Sequence, residues 1–312
     1  MSTPSPASSS KLVQSYLVEQ MQDGWWPYLP GQTQPSIEPT AWCSIALRNY
    51  DQVKSAVTRR LASWQNADGG WSTSPGAGQS DWSSSLALLA LSRLPQNPET
   101  DACYYRGVSY LLEHRSQVLD PMGVALVTWI GDLADTAFPM GWPWVKGSFY
   151  RTEPTSYAMV ALNTDRCSKR KDVQSALKQA EKQLMDCSAV GGGWNSGNRI
   201  VLLEALPPYP VTTGQALVCL QNSGNTQNVK DGLVFLRKAG IKENAVMSLS
   251  WTILGLTAHG LAVDDETAAL LTHQNPDGSF GSNILLTGLA ACALEAAQGH
   301  NPLKFQTKSS ES

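Results

Sequence analysis

Apolar positions along the chain follow two alternating patterns. One class of segment carries Lys, Arg, Glu and Gln on one side and apolar residues on the other, at 11–21, 51–65, 101–115, 169–187, 226–239 and 264–273. The second class is apolar or small nearly all round, at 39–48, 82–93, 154–163, 212–221, 246–258 and 285–297. A helix with one apolar stripe forms an outer wall, whereas a helix apolar on every side is buried on most of its faces. Six of each, in strict alternation, predict a double ring of helices: an all-α (α/α)6 toroid. Period-2 alternation is scarce, so strands contribute little. The expected boundaries are a disordered N-terminus over 1–10, one toroid domain over 11–303 and a disordered tail over 304–312. A further helical segment at 122–137 falls outside the six pairs.

Gly- and Trp-rich loops join each outer segment to the next inner one, and three share one spacing. Gln20…Gly24-Trp25-Trp26, Gln65…Gly69-Gly70-Trp71 and Gln274…Gly278-Ser279-Phe280 each read Gln, three residues, Gly, one residue, aromatic. A repeated turn before a repeated helix is the signature of a repeat architecture.

A second repeat opens two inner helices. Glu38-Pro39-Thr40 and Glu153-Pro154-Thr155 begin segments that end in Ala-Leu at the same distance. Pro is preorganised for the first turn of a helix, and the residue before it is extended. Both Glu are therefore expected at a helix mouth, in the N-cap position. Thr212-Thr213 after Tyr209-Pro210 is a copy without the acid, and Asp81 precedes its helix as an expected cap.

Composition narrows the function classes. Charged residues make up 16% of the 312, and net charge is −3. No basic run stands out, which argues against a nucleic-acid partner. Trp is over-used, 11 against 5 Phe and 9 Tyr. Six scattered Cys act as small apolar fillers and point to reduced thiols and a cytoplasmic setting. No apolar stretch is long enough to span a bilayer, which leaves peripheral membrane contact as the only membrane association expected.

The Gln-x3-Gly-x-Trp turns resemble the repeat of the squalene–hopene and oxidosqualene cyclases. Length and helix pairing are similar to the β subunits of protein prenyltransferases. Gly141-Trp142-Pro143-Trp144, Glu153-Pro154-Thr155 and Gly191-Gly192-Gly193-Trp194-Asn195 look like the small, single-domain prenyltransferase/squalene-oxidase-repeat branch. The resemblance covers about residues 10–300 and implies an axial cavity lined by inner-helix ends and loops. In class II terpenoid cyclases an Asp-x-Asp-Asp-Thr-Ala motif opens an inner helix, and its middle Asp protonates an alkene or epoxide. This chain departs from that pattern. Asp132-Leu133-Ala134-Asp135-Thr136-Ala137 keeps the frame with Ala134 in the acid's place. Aligned on Thr, Glu38 and Glu153 fall at the middle Asp, with Pro39 and Pro154 beside them.

The resemblance thus makes Glu153 the first candidate acid, Glu38 the second, and Asp132 and Asp135 a carboxylate pair. Glu153 stands first because Trp142, Trp144, Phe149 and Tyr150 lie just upstream. Each acid also has a structural reading, as a helix cap or a solvated helix end. Trp42, Trp82, Trp142, Trp144, Tyr157, Tyr209 and Trp251 are the candidate lining rings, able to steady carbocations or simply to pack. No metal site is expected; Asp101-Ala102-Cys103 lies on an outer helix without a suitable His. No cofactor is implied, and Mg²⁺ enters only if the substrate is a diphosphate. The leading function is a terpenoid cyclase-like protein that binds an isoprenoid and starts cyclisation by protonation. The alternatives are a non-catalytic isoprenoid- or peptide-binding protein, a prenyltransferase β-subunit-like partner, and a polysaccharide lyase.

Overall fold

The all-round apolar segments become six helices that touch one another in a closed cycle. The computed structural model describes residues 6–95, 98–116 and 141–305. In chain order its helices are α1 (Pro6–Glu19), α2 (Ile37–Ala46), α3 (Asp51–Ser63), α4 (Ser83–Ser92), α5 (Pro98–Glu113), α6 (Thr152–Leu162), α7 (Lys171–Asp186), α8 (Pro210–Cys219), α9 (Gln227–Glu243), α10 (Val246–Ala258), α11 (Asp264–Leu271) and α12 (Ile284–Ala297). Strands β1 (Ile200–Val201) and β2 (Glu204–Ala205) form one hairpin between α7 and α8. The even helices pack α2 to α4, α4 to α6, α6 to α8, α8 to α10, α10 to α12 and α12 back to α2. The odd helices form the outer layer against them. The (α/α)6 toroid read from the pattern is the architecture observed.

Burial explains which helix goes where. Every residue of α4 except Ser92 is buried. On α7 only Val173, Ala176, Ala180, Gln183 and Leu184 are buried, one stripe at helical spacing. The first outer helix begins at Pro6, inside the stretch expected to be disordered, and Leu303 and Phe305 at the other end are buried. The 122–137 segment lies outside the described residues.

The turn motif is a three-way joint. Indole N–H groups of Trp26, Trp71, Trp142 and Trp194 donate to Leu17, Leu61, Leu111 and Leu184 carbonyls on the preceding outer helix, at 2.6–2.8 Å. The backbone N–H of each, and of Phe280, donates to a hydroxyl on the following inner helix: Thr40, Ser84, Thr155, Thr213 and Thr287. The glycine reaches the next outer helix. Gly69 (φ 88°) leaves no room for a side chain, because a Cβ would sit 2.7 Å from the Arg106 carbonyl of α5. At Gly278 a Cβ would meet the Leu12 carbonyl of α1 at 2.7 Å, so the last joint closes the ring onto the first helix. Gln65 and Gln274 add side-chain bonds to the Cys103 and Ser9 carbonyls. The described residues contain five joints where the Gln spacing revealed three; those at Trp142 and Trp194 dispense with Gln.

Candidate functional site

The five hydroxyls give the inner helices a common register. Two residues before the hydroxyl stand Glu38 on α2, Trp82 beside α4, Glu153 on α6, Val211 on α8 and Leu285 on α12. Two residues after it stand Trp42, Leu86, Tyr157, Gln215 and Leu289. The two positions are four apart and share a helix face. The first layer forms the mouth of the axis and the second lies one turn deeper.

Rings from alternate inner helices meet in the deeper layer. Trp42 on α2 crosses Trp251 on α10 edge-on at 5.4 Å between centroids, and Tyr157 on α6 lies 6.0 Å from each. All three are buried. Trp82 stacks on Tyr157 at 6.1 Å and meets Trp144 edge-on at 4.9 Å. Edge-to-face contacts at these separations are the favoured geometry of aromatic pairs. A triangle of rings therefore closes the axis beneath the two carboxyls.

Glu38 and Glu153 are not N-caps. The N-cap residues are Ser36 and Arg151, and each Glu is the second residue of its helix. Pro tolerates that placement because first-turn N–H groups need no helical partner. Neither N-cap side chain makes a capping bond to its own helix. Instead the Tyr28 hydroxyl donates to Glu38 Oε2 at 2.7 Å, and the Tyr157 hydroxyl donates to Glu153 Oε1 at 2.8 Å. Gln215 donates through Nε2 to the Tyr157 oxygen at 3.1 Å and also hydrogen-bonds Glu153. This fixes the amide: the Tyr157 proton is committed to Glu153, so only the Gln215 nitrogen can face that pair. Gln215 Oε1 is buried and has no partner among the described residues.

Environment separates the two acids. Burial pushes Glu38 up to about 7; the Tyr28 bond opposes this and the neighbouring Glu153 charge adds to it. Burial also raises Glu153, but the bonds from Tyr157 and Gln215 hold it down. Of two like charges in one apolar site, one keeps its proton. Glu38 is the member that holds its proton to the higher pH, and Glu153 the one better held as an anion. The Tyr157 hydroxyl is pushed up by its own burial and by both carboxylates, so it remains a donor.

The shift has a consequence for stability. Between about 4.5 and 7 the folded chain keeps the Glu38 proton and the unfolded chain loses it. Folding binds the proton, so stability falls as pH rises through that window, by roughly 2–3 kcal/mol. In urea unfolding at pH 5 and pH 8, Glu38→Gln is expected to show a smaller loss than the parent.

The remaining candidates separate by place. Trp142 is a joint aromatic, held by Leu111 and Thr155, and lies outside the lining layer. Tyr209 is the N-cap of α8 and half-exposed on the rim. Asp81, expected as the cap of α4, stands one residue before the N-cap Trp82; it accepts from the Ser83 N–H at 2.8 Å and also binds Thr73. Asp132 and Asp135 lie outside the described residues. Tyr28 and Gln215 were not singled out from sequence. A Gln in an otherwise apolar inner helix was the available signal for the second; Tyr28 offered none.

No protein-family model matches the chain, and no curated protein matches it in sequence. Solved structures do. A variant of the type II terpene cyclase MstE from Scytonema, bound to its substrate geranylgeranyl dihydroxybenzoate, matches at TM-score 0.62 with 14% identity, over 95% of this chain and 98% of that one. A protein from Actinoplanes matches at 0.59 with 16% identity, over 94% and 100%. A glycosidase variant in complex with glucose matches at 0.60 with 11% identity, over 94% and 98%. At these identities the shared property is the fold: a terpenoid cyclase-like α/α toroid spanning nearly the whole chain, in a shape that also serves glycosidases.

Proposed function

We propose that the chain binds an isoprenoid in its axial site and cyclises it by protonation, with Glu38 as the acid. One observation carries this: a largely buried carboxyl, bonded to the Tyr28 hydroxyl and raised by burial to about 7, stands one helical turn above a closed layer of aromatic rings. An alkene is a very weak base, so the donor must be protonated and the site dry. Glu38 transfers its proton to the terminal carbon of a double bond and forms a C–H bond. The resulting cation is attacked by the next π bond, closing a ring, and a final proton loss gives a neutral isomer. Tyr28 stays bonded to the carboxylate left on Glu38 and stabilises it as the charge develops. The faces of Trp82, Trp42, Tyr157 and Trp251 attract the cation. Glu153 is the positioning partner: its negative charge keeps the proton on Glu38. The sequence reading ranked Glu153 first; the hydrogen bonds favour the reverse order.

A second reading, hydrolysis of a glycosidic bond by the same two carboxyls, draws support from the acid pair itself. The apolar layer beneath the acids weighs against it, because sugar hydroxyls need hydrogen-bond partners. The test is incubation of purified protein with squalene, geranylgeranyl-bearing aromatics, prenyl diphosphates and β- and α-linked glucosides, with and without Mg²⁺, followed by mass spectrometry. A product isomeric with an isoprenoid, formed without Mg²⁺, is expected. Released glucose, or bound isoprenoid recovered unchanged, contradicts the proposal.

A further inference from the structure

The axial site holds a polar atom that its hydrogen-bond network leaves over. In the deeper layer Trp42, Tyr157 and Trp251 are rings, Leu86 and Leu289 are aliphatic, and Gln215 on α8 is an amide. Its Nε2 is engaged by the Tyr157 oxygen, and the side chain also bonds Glu153. Those bonds draw the amide up from its own layer to the level of the acids. Gln215 is 1% exposed, and its Oε1 has no partner among the described residues. Turning the amide over does not help, because Oε1 would then face the Glu153 carboxylate. A buried acceptor without a donor bears the full cost of its lost water, and a donor brought by a ligand removes that cost.

The amide also stands opposite the acid. Round the ring, α8 is separated from α2 by α4 and α6 on one side and by α10 and α12 on the other. Glu38 and Gln215 therefore face each other across the axis. A chain that spans the axis with an alkene at Glu38 brings its other end to Gln215. Chemistry decides what that end carries. A hydrocarbon offers no donor, and an ether offers an acceptor only. A diphosphate offers acceptor oxygens and sets negative charge beside Glu153. A hydroxyl supplies the O–H that Oε1 lacks.

We propose that Gln215 selects an isoprenoid alcohol, accepting the substrate O–H at Oε1 and so directing the alkene end of the chain towards Glu38. This rests on the isoprenoid reading of the axial site and names the substrate class within it. Gln215 is a specificity residue and takes no proton. A site built to bond a substrate hydroxyl rejects the analogue without it, because its own polar group is then left unpaired.

The test is binding, followed by quenching of Trp fluorescence. The probes are geraniol, farnesol and geranylgeraniol, each with its methyl ether and with the hydrocarbon bearing CH₃ in place of CH₂OH. The alcohol that binds best is expected to bind about tenfold more tightly than its ether or hydrocarbon, the effect of one buried hydrogen bond. Gln215→Leu, which places on α8 the residue type of Leu86 and Leu289, is expected to lose about tenfold for the alcohol and to bind the hydrocarbon at least as well as the parent. Farnesyl diphosphate without Mg²⁺ is expected to bind more weakly than farnesol. Equal affinity of the parent for alcohol, ether and hydrocarbon overturns the proposal, whatever becomes of the variant. So does a preference for the alcohol that survives Gln215→Leu, tighter binding of the diphosphate, or no binding of any probe. Turnover is a separate readout. An alcohol bound with this preference and recovered unchanged contradicts cyclisation and upholds the role of Gln215, whereas a cyclic product from a hydrocarbon bound equally well does the reverse.

Discussion

Glu38→Gln is expected to lower cyclisation by about 10²–10⁴-fold, the usual contribution of a general acid, in single-turnover assays of product formation. Gln keeps the size of the side chain and can still accept the Tyr28 hydrogen bond, but it has no acidic proton to give. The folded state is expected to survive, and above pH 7 to gain relative to the parent, because the neutral amide avoids the burial of charge that raises Glu38. Lost turnover alongside retained stability separates chemistry from collapse. Glu153→Gln is the companion experiment. It removes the neighbouring charge that helps keep Glu38 protonated, so the basic limb of the pH–rate profile should move to lower pH. Activity at acid pH is retained. If the order of the two acids were the reverse, the large loss would fall on Glu153→Gln.

Trp194→Ala is expected to cost about 3–5 kcal/mol, the range for removing a large buried aromatic, measured by urea denaturation. The ring is fully buried and lies against Gly232 of α9, where an added Cβ would come within 2.6 Å of it. Its indole N–H reaches the Leu184 carbonyl at 2.6 Å, and its backbone N–H reaches Thr213 at 2.9 Å. One residue thus joins α7, α8 and α9. Trp194→Phe preserves most of the packing and leaves the Leu184 carbonyl without its donor, a cost of about 1–3 kcal/mol. A loss below 1 kcal/mol for the alanine variant would mean that the joint does not hold the ring of helices together.

The double ring was legible because its two helix classes differ in kind. A segment such as Ser83–Ser92 has no polar face to present to water, whereas Lys171–Asp186 has one. The joint was only partly legible. Gly and the aromatic are dictated by close approach and by burial, but Gln supplies an added bond, so copies lacking it escape a search on spacing. The acids were legible through the Glu-Pro-Thr repeat, because Thr40 and Thr155 do the same job in alternate joints. Their position in the helix was misread. Pro fits several first-turn positions, and here it is third, which moves Glu from the cap into the helix and turns it towards the axis. The pairing could not be read at all. Glu38 and Glu153 sit on α2 and α6, with α4 between them in the ring, and Tyr28 reaches Glu38 from a loop whose path no local pattern fixes. Which acid keeps the proton depends on those partners.

The most direct test of the central claim is cyclisation in D₂O. Purified protein is equilibrated in D₂O near pD 7 and incubated with a geranylgeranyl-bearing substrate, and the product is analysed by mass spectrometry and NMR. Proton donation from Glu38, which exchanges with solvent, predicts an isomeric cyclic product with one deuterium at the carbon that was protonated, and no such product from Glu38→Gln. A product free of deuterium, or the same labelled product in undiminished yield from Glu38→Gln, would contradict it.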